Sequence, residues 1–330
     1  MRRPSSRDVL VFVSLAGREL VSGRRFVSDA CGQQVARLGR LLEHPAIRPA
    51  LVVAGVAFAL RQALAAASGD LYVLYDAHAY WSASALDDPY RSTIQGGFDG
   101  LGGLYEYKYP PVLAQLLAPV HLLPWPVFAG LWTLFLFGIL LVVSDRWAFV
   151  ALLFPPVLGE LHLGNINLLI GLAIVLGLRW PALWSFVLVT KLTPGIGLLW
   201  FLVRREWRSL AVALGATATV AGISYLAAPS LWSDWLVASR TQIAATIVLR
   251  PQSAPIVLPV RLAVAAVLVL WGARTDRPWV LPVAASLAVP FAWWNVLAIA
   301  VAAIPLVGPP PAWLGQQPSA RHGARPAVRH

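Results

Sequence analysis

Residues 70 to 81 read DLYVLYDAHAYW and place two aspartates, one histidine and three tyrosines in twelve positions, directly after the first long apolar run of the chain. A carboxylate at the edge of an apolar region is poorly hydrated, which raises its basicity and suits it to general-base work. Asp76 is the candidate. On a helix, Tyr72, Asp76 and Tyr80 would share one face, whereas on an extended segment Asp76 and His78 would. The bland alternative has Asp70 and Asp76 capping or solvating a short helix, while the tyrosines and Trp81 form an interfacial aromatic belt.

The elements that must position these residues are membrane helices. Of 330 residues, 58% are hydrophobic and 12% charged, with a mean hydropathy of +0.68; a soluble domain has roughly a quarter charged. Asp and Glu number only 15, yet Asp70, Asp76, Asp87, Asp88, Asp99 and Glu106 all fall between residues 68 and 109. A net charge of +11 would ordinarily suggest nucleic acid as partner, but its placement argues for topology instead. Nine arginines precede residue 49, three sit in RREWR (204–208), and Arg274 and Arg277 flank another break. Such charge marks the cytoplasmic flanks of apolar spans. The lone Cys31 excludes an intrachain disulfide, and no Cys or His spacing resembles a zinc site. The loop carboxylates could take a divalent cation, but they form no tight cluster of the EF-hand kind, so no metal ligand is assigned.

A hydrocarbon core needs about 20 apolar residues per helix, and the chain offers about ten candidate runs: 49–67, 110–124, 126–143, 147–162, 166–180, 183–203, 209–228, 256–273, 279–291 and 293–308. The expected fold is an all-α polytopic membrane protein, with some short, proline-containing runs broken or re-entrant. Residues 1–48 read as a basic cytoplasmic arm, 49–308 as the transmembrane domain, and 309–330 as a disordered Pro/Arg-rich cytoplasmic tail. With the N-terminus inside, alternation puts RREWR and Arg274–Arg277 inside and the large first loop, about 68–109, outside together with a second at 229–255. LWSDWLVA in that second loop suits a helix lying in the interface. The protein is expected in the plasma membrane.

Polar groups within the spans are informative because they are expensive. ELHLGNINLLI (160–170) collects Glu160, His162, Asn165 and Asn167, and Lys191, one of only two lysines, sits in an apolar stretch. A buried ammonium costs about 2.5–3.5 kcal/mol on insertion scales, so Lys191 calls for Glu160 or a ligand phosphate as partner. The alternation places the ELHLGN break nearer the cytoplasmic side, which suggests a structural role for it. The other lysine, Lys108, would meet a lipid phosphate at the outer interface or simply anchor the following span.

The order DAHAYWSASALDDPY (76–90), YPP (109–111), APVHLLP (118–124) with Trp132, GNIN (164–167) and KLTPG (191–195) before a basic turn resembles glycosyltransferase family 87. The resemblance runs from about residue 50 to 305. It implies a GT-C-like fold and kinship with polyprenol-phosphate-mannose-dependent mannosyltransferases and related arabinofuranosyltransferases of the bacterial cell envelope. It also implies that Asp76, followed by Tyr80, Trp81 and the Asp88–Pro89–Tyr90 element, is the catalytic base, and that Lys191 is the family's lysine before proline. Where many members carry a late P-x-S-W-x-H-H element, this chain has Asn295 and Val296. Donor handling then differs, His78 takes over from those histidines, or activity is altered.

The implied reaction is an inverting transfer from a polyprenyl-phosphate sugar to an envelope glycolipid or glycan, on the extracytoplasmic side and without a cofactor. Asp76 takes the acceptor proton, with His78 and Tyr80 as possible assistants. The leaving phosphate needs cations or hydrogen-bond donors, for which Lys108, Arg250, Tyr105, Tyr107 and Lys191 are the candidates. Two other classes compete. A lipid or solute transporter or flippase would also use polar membrane residues and broken helices, though the two halves show no clear internal repeat; a structural scaffold would have no use for Lys191.

Overall fold

Proline and glycine punctuate the apolar runs and set where the helices begin and end. The computed structural model describes residues 44–70, 72–91, 106–249, 258–290 and 293–307, with backbone only over 242–249. The N-terminal arm before residue 44, the tail from 308, and the candidates Tyr105 and Arg250 lie outside these residues. All regular structure among the described residues is helical. The chain divides into two units, Met1–Val52 and Val53–His330. The described part of the first is a turn, in which Ala46 N donates to His44 Nδ1 (3.3 Å), and the opening of helix α1 (Ile47–Ala67).

In the second unit, α2 (Tyr75–Ala83) is followed by α3 (Pro111–Leu117), a 3-10 turn Ala118–Leu122, and α4 (Trp125–Ser144), which continues through another 3-10 turn into α5 (Ala148–Leu152). Four short helices come next: α6 (Pro155–Leu163), α7 (Asn167–Gly177), α8 (Trp184–Thr190) and α9 (Leu199–Val203). Then come the longer α10 (Trp207–Ala227), α11 (Pro229–Leu249) and α12 (Leu258–Thr275), with α13 (Val280–Ala288) and a 3-10 segment Trp294–Leu306 last. The core lies where α4, α7, α13 and that 3-10 segment pack together, around Leu136, Leu140, Ile170, Ile174, Ala284 and Ile299. Val53, Leu60, Leu64, Ile223, Leu226 and Val267 are exposed, as lipid-facing side chains are when no lipid is present.

Among the described residues, the apolar runs form helices of two kinds, a few long enough to cross a membrane unaided and several shorter ones, Pro111–Leu122, Pro181–Thr190, Thr193–Val203 and Trp294–Leu306. Four helices are long and apolar enough to cross a membrane: Ile47–Ala67, Trp125–Leu152, Trp207–Ala227 and Leu258–Thr275. The pair Pro155–Leu163 and Asn167–Gly177, bent by 110°, adds a fifth if it is one broken span. The run expected to cross at 110–124 leaves from one helix and returns to it. Tyr80 Oη donates to Tyr109 Oη (3.0 Å) just before α3, and Trp81 Nε1 donates to Leu123 O (3.0 Å) just after the 3-10 turn. Both its ends are thus bonded to adjacent residues of α2.

The two basic breaks meet at one end of the molecule, where Arg204 bonds Glu206 (2.7 Å) and Asp276 (2.8 Å). At the far end of α10, about 30 Å along a helix of this length, Ser224 O accepts from Gln115 Nε2 of α3 (3.2 Å) and Ser224 Oγ from Trp232 Nε1 of α11 (3.0 Å). α2, α3 and α11 therefore lie at the end opposite the arginines. α11 is a helix, as LWSDWLVA suggests, and it is not among the spans.

α1 and α4 pack antiparallel at close range: Gly130 sits over Ala59 and Ala63, and Gly55 lies under the Phe137 ring, where a Cβ would come within 2.6 Å of it. Comparably close is the junction of α6 and α2. α6 starts on Pro155 and Pro156, a favourable helix opening, and stops at Gly164 in the left-handed region (φ +70). A Cβ there would lie 2.7 Å from Ala77 Cβ and 3.0 Å from Leu74 Cδ2. Gly164→Ala combines strain at positive φ with a clash against backbone-fixed atoms, and should cost about 1–3 kcal/mol. A fall in the unfolding midpoint of the detergent-solubilised protein is the expected readout, with Gly69→Ala, at φ +80 but in open space, losing less.

Candidate active site

Leu74, in the left-handed region at the start of α2, donates its N–H to His162 O of α6 (3.2 Å). α2 thereby stands on the end of α6, and its second residue, Asp76, faces the turn that follows. Asp76 Oδ2 accepts from Asn165 Nδ2 (2.7 Å). Tyr80, one turn along on the same face and fully buried, continues through Tyr109 Oη to Asn165 Oδ1 (3.5 Å). Lys191, just past α8, donates to Asn165 Oδ1 (3.1 Å) and Asn167 Oδ1 (2.6 Å), and lies 5.7 Å from the centre of the Tyr109 ring.

Behind this group stands Glu160, fully buried in α6. Its Oε1 accepts from the backbone N–H of Asn167 (2.5 Å) and Leu168 (3.2 Å), the first residues of α7. Its Oε2 accepts from Asn167 Nδ2 (2.8 Å) and Asn295 Nδ2 (3.1 Å). A carboxylate at a helix N-terminus fills the helix's orphan donors and meets the positive end of its dipole. The two charges that the sequence sets apart as costly are thus joined through Asn167, and Glu160 is Lys191's nearer counter-charge.

Asp76 is partly exposed but enclosed on most sides. Burial pushes its carboxyl above the ordinary aspartate value, against the Asn165 hydrogen bond and the positive charges of Lys191 and Lys108, which pull it down. Burial also pushes the phenols of Tyr80 and Tyr109 up, so both hydroxyls stay protonated. The arrangement supplies one accessible carboxylate of raised basicity, a fixed amide donor beside it, and an aromatic wall.

The remaining candidates separate. Asp76 and Tyr80 share a helical face, but His78 does not join them, because residues two apart on a helix point in different directions. Its ring packs edge-on to Trp125 (4.5 Å) and Trp81 (5.6 Å), with Ser82 Oγ 3.1 Å from Nδ1. Burial holds its imidazole down to about 4. These contacts place its ring in the Trp81–Trp125 aromatic cluster. Tyr107 is buried and its hydroxyl is engaged on both sides, donating to Pro110 O (3.0 Å) and accepting from Ala114 N (2.9 Å). Both bonds fix the start of α3, and the single hydroxyl hydrogen is taken up by Pro110 O. Lys108 is partly exposed, 3.3 Å from Glu106, and its charge reaches Asp76. Asp70 accepts from Tyr72 N (2.9 Å), a local turn contact consistent with a boundary charge. Asp88 lies at positive φ, and Tyr90 donates to Tyr109 O (2.7 Å), so the Asp-Pro-Tyr element holds the backbone behind the Tyr109 ring.

Sequence reasoning noticed Glu160, Asn165 and Asn167 but set them far from Asp76, because a count that lets 110–124 cross reverses the side on which the break falls. Tyr109 carried no signal beyond its place in YPP. Among the described residues, no group of three or more His, Cys, Asp or Glu is poised to hold a metal ion.

A helical membrane protein with a partly exposed carboxylate fixed at a broken-helix turn is the class that these features define. Residues 107–314, well over half of the chain, match glycosyltransferase family 87, and the chain belongs to that family. It is also similar to a polyprenol-phosphate-mannose-dependent alpha-(1-2)-phosphatidylinositol pentamannoside mannosyltransferase of Mycolicibacterium smegmatis (strain ATCC 700084 / mc(2)155), 26% identical over 163 residues. That alignment covers 39% of this chain and 40% of the relative. No solved structure matches.

The assignment of Tyr107 is testable. Tyr107→Phe leaves Ala114 N without its acceptor, which should cost about 1–3 kcal/mol. A lower unfolding midpoint with an unchanged KM for a prenyl-phosphate sugar is expected; a raised KM at unchanged stability would restore Tyr107 as a donor ligand.

Proposed function

We propose that this protein is a GT-C-like membrane glycosyltransferase that moves a sugar from a polyprenyl-phosphate donor to a glycolipid or glycan acceptor of the cell envelope, with inversion. Mannose is the sugar favoured by the named activity of the M. smegmatis relative. The observation that carries the reading is Asp76, held by Asn165 at 2.7 Å and still reachable. One of its oxygens takes the amide hydrogen bond. The other, Oδ1, is left for an acceptor hydroxyl, since no described residue donates to it.

In this mechanism Asp76 takes the proton from the acceptor hydroxyl as that oxygen bonds to the anomeric carbon, and the bond from that carbon to the phosphate oxygen breaks on the opposite face. The sugar passes through an oxocarbenium-like state. The leaving polyprenyl phosphate carries the electron pair away, and its charge needs a nearby cation. Lys108 serves that end, with Arg250 and Tyr105 as further ligands proposed from the sequence. Tyr80 and Tyr109 wall the sugar site and exclude water.

Asp76→Asn, nearly isosteric but unable to take a proton, should lower transfer from a prenyl-phosphate sugar by about 10²- to 10⁴-fold, with membrane insertion intact. Near-normal turnover would remove Asp76 from the mechanism. Because burial raises the Asp76 pKa, the base form is populated only above that raised value. The wild-type profile of kcat/KM against pH should therefore fall off at a higher pH than an exposed aspartate would give.

The active site is proposed to face the extracytoplasmic side, opposite the Arg204 end. A cysteine replacing the exposed Asp87 in a Cys31→Ser background should react with an impermeant thiol reagent in intact cells. Protection there, with labelling only after lysis, would reverse the orientation.

A further inference from the structure

We propose that Lys191 acts in transfer through Asn165, as a positioning residue for Asp76, and is not a ligand of the donor phosphate. The inference rests on Asp76 being the base. An asparagine amide can turn either way, and only one way serves Asp76. Asn165 Oδ1 accepts from Ile166 N (2.8 Å), Lys191 Nζ (3.1 Å) and Tyr109 Oη (3.5 Å). Turning the amide over would press its NH2 against an ammonium and a backbone N–H, so Nδ2 is directed at Asp76 Oδ2.

Lys191 is itself held. Two of its three N–H donors go to amide oxygens, and Asn167, which accepts the shorter bond, donates to Glu160. Glu160 in turn is fixed by the first N–H groups of α7 and by Asn295. The sequence of contacts from the α7 N-terminus to Asp76 is continuous, each link a donor meeting an acceptor. A lysine committed in this way would have to abandon two amides to reach a phosphate. The charged and titratable groups around Asp76 are Lys191 from the end of α8, Lys108 ahead of α3, Glu160 from α6, and the phenols of Tyr80 and Tyr109. Lys191 thus has two effects on the base: it sets the direction of the hydrogen bond and it adds a stabilising positive charge.

The test measures kcat, donor KM and the pH profile for wild type, Lys191→Met and Asn165→Ala, using a prenyl-phosphate sugar. For both variants kcat should drop by about 10- to 100-fold with donor KM within about twofold, a share of the 10²- to 10⁴-fold that a general base supplies. The acid limb of kcat/KM for Lys191→Met should move up by about one pH unit, since an opposite charge has been withdrawn. Lys191→Met with Asn165→Ala should be little worse than either alone, because both act through one amide. Removing one member of a buried charge pair can prevent folding. If Lys191→Met is not recovered as monodisperse protein, Glu160→Gln with Lys191→Met removes both charges, and its kcat, donor KM and acid limb are read in its place. A raised donor KM with an unmoved acid limb would overturn the inference and make Lys191 a phosphate ligand. Wild type without turnover would instead overturn the transferase reading itself, and a fully active Asp76→Asn would overturn Asp76 as the base on which this inference rests.

Discussion

A helix broken inside an apolar protein exposes backbone N–H and C=O groups that no water can satisfy, and the site is organised around meeting that demand. The break at Gly164–Ile166 releases the C=O groups at the end of α6 and the N–H groups at the start of α7. Each has a taker. His162 O accepts from Leu74 N, Gly164 O from Trp132 Nε1 (2.7 Å), and Glu160 covers Asn167 N and Leu168 N. Ile166 N turns to Asn165 Oδ1. The groups that satisfy the break also place the functional residues: α2 is docked by Leu74, Asn165 is oriented by Ile166 and Lys191, and Glu160 holds the asparagine that holds Lys191. Structural economy and chemistry therefore use one set of contacts.

Charge balance follows from the same arrangement. Two carboxylates and one ammonium, Glu160 buried and Asp76 and Lys191 partly so, lie close together, and leaving any of them uncompensated would be costly. Glu160 receives four N–H donors, whereas Asp76 receives one. The fully satisfied carboxylate is the structural one, and the under-satisfied one keeps lone pairs for a proton. Spacing alone would not have distinguished the two; the count of donors does.

Much of this site was legible in the sequence, and the misreadings have one cause. Asp76 stood out because a carboxylate beside aromatics at the end of an apolar run is unusual, and the ordered motifs raised it further. Lys191 and Glu160 stood out because charges in apolar runs are expensive. Their distance from Asp76 could not be read, because hydropathy registers that a run such as 110–124 is apolar and not that its two ends return to Tyr80 and Trp81. A count in which that run crosses sets the ELHLGN break away from Asp76, whereas Asn165 of that break is bonded to it. His78 was attractive because an extended segment would have aligned it with Asp76. The helix that forms instead pairs Asp76 with Tyr80, the other of the two open readings.

The late departure from the family pattern takes on a specific meaning in this network. Asn295 stands where the resemblance leads one to expect a histidine, and its amide donates to Glu160 from the 3-10 segment Trp294–Leu306. An imidazole could donate a similar N–H, but it titrates near neutral pH, whereas an amide does not. With asparagine, the carboxylate that caps α7 keeps its donor at any pH at which the protein is folded. The substitution therefore falls at the far end of the contact chain from Asp76, with four side chains between them, and alters the support of the proposed base without touching the atoms that would react.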